Sequence, residues 1–127
     1  MSRRYLTLSE ANAALNRGKS IECFIGACEK NGIRGVRWIS ISDRNKGICV
    51  AVFESADIGN ESFLDVYAFG SLDSELEFGD PDEEQFFDEF TKAISEIEAL
   101  FPTSSLKLVN EGMIQDEYLD FLKVDRK

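Results

Sequence analysis

The chain contains no histidine, and only two of its 127 residues are proline. Histidine is the commonest general base among protein side chains, so its absence excludes the Ser-His and Cys-His pairs of nucleophilic enzymes. The three cysteines, Cys23, Cys28 and Cys49, are an odd number and do not make a disulfide framework. Cys23 and Cys49 fall inside apolar strand patterns, where a free thiol behaves as a small apolar side chain. We therefore expect structural thiols, no cofactor and no catalytic residues.

Long apolar runs are also missing. No stretch approaches the roughly 18 apolar residues that a membrane-spanning helix needs. The first five residues carry two arginines, but no apolar segment follows them, which argues against a secretory signal. A hydrophobic fraction of 43%, with ten phenylalanines, is enough for a core in a chain of this length. The sequence predicts a single globular domain over residues 1–127, located in the cytoplasm and independent of membranes.

The charge of the chain is unevenly distributed. The net charge is −10, and residues 73–98 alone contain eleven acids and one base. Residues 1–46 contain nine bases and four acids. An acidic surface repels the phosphates of nucleic acids and attracts basic surfaces. We therefore expect a basic protein as the partner rather than a nucleic acid, although acidic surfaces also serve solubility alone.

The first half of the chain carries clear local signals. Thr7-Leu8-Ser9-Glu10 has the form of a capping box, which predicts a helix over residues 8–17. Asn31-Gly32 is a strong hairpin signal, because both positions of a tight turn need a positive φ. Residues 48–53 are apolar throughout, which indicates a central strand covered on both faces. The predicted strands of this meander span residues 20–28, 33–42, 48–53 and 62–69.

The second half predicts a long helix, a short strand and a last helix. Asp80 as N-cap, Pro81 at the first helical position and Glu83 as a capping-box partner predict the start of the long helix. Apolar residues then recur at helical spacing as far as Phe101. A fifth strand is expected over 106–109, followed by a helix. The predicted fold class is α+β: an antiparallel sheet of four to five strands, with helices packed on one face, in the order α-β-β-β-β-α-β-α.

The acidic stretch that begins at Asp73 does not fit a calcium loop. An EF-hand loop needs glycine at its sixth position, which is Phe78 when Asp73 is the first. Leu76 and Phe78 alternate with Glu75 and Glu77, a pattern that favours an edge strand or an extended, solvated arm. We expect no metal site.

A basic and aromatic group lies on the predicted hairpin, formed by Arg34, Arg37, Arg44 and Lys46 around Trp38. Such a group can hold a nucleic acid through phosphate contacts and stacking. The favoured alternative is a solvated strand face, in which the arginine stems cover Trp38. Whether this hairpin has a separate role stays open.

In size, acidity and lack of catalytic groups, the chain resembles the immunity proteins of bacterial toxin systems, in general character rather than by a shared motif. The resemblance implies a non-catalytic inhibitor, a monomer or homodimer, that neutralises a basic toxin or nuclease domain. Complementary charge would speed the encounter and set the register of the complex. The residues expected to contact the partner are Glu75, Glu77, Asp80, Asp82, Glu84, Asp88 and Glu89.

Three alternatives remain at this stage. Small acidic α+β dimers that act as secretion chaperones are similar in length and charge, and such a chaperone would present apolar grooves, with Phe24, Phe53 and Phe63 as candidates. The chain also fits a generic regulatory interaction domain. The last alternative is an enzyme whose site the sequence does not reveal.

Overall fold

In a computed structural model, residues 5–44, 47–73, 80–101 and 107–125 are described, and they form three α-helices and a five-stranded antiparallel sheet. The helices are α1 (Leu8–Asn16), α2 (Phe90–Leu100) and α3 (Ile114–Asp125). The strands are β1 (Ile21–Lys30), β2 (Ile33–Arg44), β3 (Gly47–Ala56), β4 (Glu83–Phe87) and β5 (Leu108–Asn110), in the spatial order β4-β3-β2-β1-β5. The predicted α+β class and the predicted order of helices and strands are confirmed.

Two local signals read from the sequence are confirmed in atomic detail. The Thr7 hydroxyl accepts a hydrogen bond from the Glu10 amide at 3.1 Å, and the Glu10 carboxylate accepts one from the Thr7 amide at 2.9 Å. Asn31 and Gly32 have φ of 55° and 79°, as the tight turn requires. This turn sets the antiparallel register of β1 and β2, from Lys30 opposite Ile33 to Ile21 opposite Ile41.

The sheet has an apolar core on each of its faces. Ile39 and Ile41 of β2 belong to a cluster with α1 and α2, whereas Val36 and Trp38 belong to a second cluster with α3. The prediction that the helices pack on one face therefore holds for α1 and α2, and α3 lies on the other face. The reason is visible in β2, since both sets of alternating side chains are apolar and each needs cover.

The predicted start of the long helix is wrong. Residues 83–87 form β4 and pair with β3, from Glu83 opposite Val52 to Phe87 opposite Ile48, and α2 begins only at Phe90. Asp80 and Glu83 therefore do not form a capping box. The apolar strand β3 needs hydrogen-bond partners on both edges, and this requirement overrides the helical spacing of the first phenylalanines.

The predicted strand over residues 62–69 is also wrong. Val66–Ala68 form a short 3₁₀-helix, and the Asp65 carboxylate accepts a hydrogen bond from the Tyr67 amide at 3.1 Å. A short acidic side chain that bonds the nearby backbone competes with strand formation. The aromatic residues of this segment pack on α3 instead, with the Phe69 and Tyr118 rings 5.1 Å apart.

Gly47 allows β3 and β4 to approach each other at the end of the sheet. Its φ is +120°, and a Cβ at this position would lie 2.4 Å from the carbonyl oxygen of Phe87. We expect Gly47→Ala to destabilise the protein by about 2–4 kcal/mol, because it combines backbone strain with a clash against main chain. Gly18→Ala is the matched control, since Gly18 has φ +81° and nothing within 4 Å. Urea unfolding should show a clearly larger loss for Gly47→Ala, and equal losses would contradict the close approach.

Candidate functional site

An edge strand of the sheet gathers much of the negative charge. β4 lies at one end of the strand order, and the segment 80–89 around it contains six acids and no base. At about 3.4 Å per residue, β4 spans about 17 Å. We call this surface the acidic edge, formed by Asp80, Asp82, Glu83, Glu84, Asp88 and Glu89.

The structure brings five of the predicted contact residues to this edge. Asp80, Asp88 and Glu89 are exposed, Glu84 lies on β4, and the Asp82 side chain is only 10% exposed. Five residues of the predicted binding surface therefore lie together on the acidic edge, although they lie on and beside a strand rather than on a helix. The predicted contacts Glu75 and Glu77 lie outside the described residues.

Cations cancel half of the charge on the acidic edge. Asp80, Glu83 and Glu89 have no ion-pair partner among the described residues. Exposed pairs contribute little to stability and exchange partners readily. The ion pairs of the edge are Lys30 Nζ–Asp82 Oδ2 at 3.9 Å, Arg44 Nη1–Glu84 Oε2 at 3.5 Å and Lys92 Nζ–Asp88 Oδ1 at 3.0 Å.

The Asp88–Lys92 pair shows how exposed this end of the edge is. The Asp88 side chain is 74% exposed, and its hydrogen bond with Lys92 lowers the pKa of the carboxyl and raises the pKa of the ammonium. Asp88 and Glu89 line a shallow groove beside α1 and the adjoining ends of β2 and β3, together with Asn12 and Asp43. The groove adds a further carboxylate to the surface.

A cavity of about 390 Å³ lies at the other end of the acidic edge, on the sheet face that carries α3. We call it the aromatic cavity. Trp38 of β2 and Phe53 of β3 form its floor, and Tyr67 of the 3₁₀-helix forms a wall. Five acidic residues from four separate segments of the chain line it: Glu22, Glu54, Asp80, Asp82 and Glu111.

The aromatic side chains of this cavity are held in place by one another. The Trp38 and Phe53 rings are stacked, with centroids 4.3 Å apart and planes 10° apart. Tyr67 meets Trp38 edge-on at 5.3 Å. The Trp38 indole donates a hydrogen bond to the Ser55 hydroxyl at 3.2 Å. Trp38 is therefore fixed in orientation, and Phe53 remains partly exposed above it.

Glu22 is a buried carboxylate at the side of the aromatic cavity. It is 2% exposed, and it accepts hydrogen bonds from the Tyr67 hydroxyl at 2.5 Å and from the Gly112 amide at 2.9 Å. Burial raises the pKa of Glu22, against the opposing effect of these donors. Burial and the neighbouring carboxylate also raise the pKa of Tyr67. Glu22 thereby ties β1 to the 3₁₀-helix and to the turn before α3.

Asp82 joins the aromatic cavity to the acidic edge. Its Oδ1 accepts a hydrogen bond from the Glu54 amide at 2.7 Å, and its own amide donates to the Val52 carbonyl at 2.8 Å. Its Oδ2 is buried and accepts no hydrogen bond from the described residues, and the nearest cation is Lys30 at 3.9 Å. Burial raises the pKa of this carboxyl. A buried carboxylate oxygen without a hydrogen-bond donor carries a desolvation cost, which the Lys30 ammonium offsets in part.

The arginines of the basic hairpin are each matched by an acid. Arg37 donates to Glu54 at 2.9 Å, and Arg34 donates to Asp57 at 3.1 Å. Arg44 pairs with Glu84. Trp38 is covered by Phe53 rather than by the arginine stems, because it lies on the opposite face from Arg37. Such pairing favours the structural interpretation of this group over phosphate binding.

The phenylalanines proposed for a chaperone groove are Phe24, Phe53 and Phe63. All three are partly buried against the second core cluster. Phe53 lines the aromatic cavity, whereas Phe24 and Phe63 do not. The three are therefore not gathered into one groove in the described part of the chain, and this arrangement does not favour the chaperone alternative.

The three cysteines are free, with Cys23 and Cys49 buried. Burial raises the pKa of Cys23 to about 11, which keeps it an unreactive thiol. Within the described ranges, no group of three potential ligands is placed to hold a metal ion. None of the helices in these ranges is both long enough and apolar enough to span a membrane.

Comparison with known proteins adds no family to this description. No protein-family model, curated protein or solved structure matches the chain. The site is therefore argued from its own geometry.

Sequence reasoning missed most of the aromatic cavity. Glu22, Trp38, Tyr67 and Glu111 are far apart in the chain, and only the fold brings them together. One local signal was present, because Glu22 is a carboxylate between Ile21 and Cys23 in an apolar strand. A charged residue in such a position needs a buried hydrogen-bond or ion-pair partner.

The raised pKa of Glu22 makes a prediction about stability. The folded state binds the Glu22 proton more tightly than the unfolded chain does. The resulting contribution to the free energy of unfolding is complete below the ordinary pKa of 4.5, and it is lost as the pH rises through the pKa of Glu22 in the folded state. The glutamine of Glu22→Gln is neutral at every pH, so its contribution to stability does not fall as the pH rises. We expect the unfolding free energy of the variant, relative to the parent, to increase between about pH 4 and about pH 7.

Urea unfolding at several pH values measures this difference. Glu61→Gln, which removes an exposed carboxylate, is the matched control. A difference for Glu22→Gln that is flat or declines with pH would show that burial of this carboxylate is not costly.

Proposed function

We propose that the chain is a non-catalytic protein-binding module whose acidic edge docks on a basic surface of a partner protein. In its specific form, the proposal is an immunity protein that neutralises a basic toxin or nuclease domain. One observation carries it: an edge strand and its flanks place six carboxylates along one side of the sheet, and three of them have no ion-pair partner in the described part of the chain.

The geometry of the acidic edge suits fast association. Charges on an exposed edge act over about a Debye length of 8–10 Å at moderate ionic strength, and complementary fields accelerate encounter. Glu83 and Glu89 are exposed, and no ion pair within the described residues reduces the electric field of their carboxylates in the surrounding solvent. The partner's basic groups would also exchange with Lys92 and Arg44, because such exposed pairs are weak.

A structural explanation for the same charges exists. Charged side chains on an edge strand prevent it from pairing with another sheet, which protects the protein from aggregation. The two explanations differ in what charge reversal does. Protection against pairing predicts self-association of the variants, whereas docking predicts loss of a particular partner.

A cytoplasmic location belongs to the proposal. Its support is the three free thiols, since unpaired cysteines are typical of reducing compartments. An inhibitor of this kind acts inside the cell that makes the toxin.

Charge reversal at Glu83 and Glu89 tests the proposed docking surface. The probe is the basic protein encoded by the gene that adjoins this chain's gene, and binding is followed by surface plasmon resonance at low and high salt. We expect Glu83→Lys with Glu89→Lys to weaken binding by about tenfold or more, mainly through the association rate. Neither residue lines the aromatic cavity.

The control is Glu61→Lys with Glu98→Lys, which changes net charge equally at exposed positions outside the acidic edge. It should weaken binding by no more than about threefold, since it alters only the long-range field. Equal losses of affinity in the two double variants would show that net charge, and not the acidic edge, determines binding. Absence of binding by the parent protein would remove the immunity assignment.

A further inference from the structure

We draw no further inference here: the strongest candidate, the aromatic cavity between β2, β3 and the 3₁₀-helix, is lined by a cluster of acidic residues, and no second observation in the described part of the chain points to a ligand for it.

Discussion

The pairing of β4 with β3 is the constraint on which the rest of the molecule depends. β3 is apolar and lies between β2 and the edge, so its outer backbone groups need a partner. Residues 83–87 supply it, and this choice turns Glu84 and its neighbours into the exposed rim of a sheet. It also delays α2 until Phe90 and brings Asp82 beside Glu54. The acidic edge and one rim of the aromatic cavity are thus products of a single strand pairing.

The sequence predicts well where the determining forces are local. The capping box at Thr7 and the turn at Asn31 depend on side chains within a few residues, and both have the expected hydrogen bonds or dihedral angles. The sequence predicts poorly where pairing with a distant strand determines the local structure. The phenylalanines at 86 and 87 satisfy helical spacing, yet the pairing with β3 places them on opposite faces. The 3₁₀-helix after Asp65 is a similar case, in which a side-chain hydrogen bond overrides an alternating pattern.

The two parts of the candidate site differ in the same way. The acidic edge was predictable as a set of residues, because its charges all lie within residues 80–89, although their presentation on a strand was not. The aromatic cavity was not predictable, since β1, β2, the 3₁₀-helix and the turn before α3 each contribute to it. Glu22 was its one local signal. A carboxylate in an apolar strand indicates a buried polar network without identifying the other members.

The bonds made by Glu22 have a consequence for how the cavity would respond to an occupant. Tyr67 and the Gly112 amide are both held by this one carboxylate, and Trp38 is held by Ser55. These bonds hold the side chains in one arrangement before anything enters, so a ligand would restrict them little further. A pre-organised cavity of this type favours a ligand that matches its shape, and a ligand that fits poorly would differ mainly by faster dissociation.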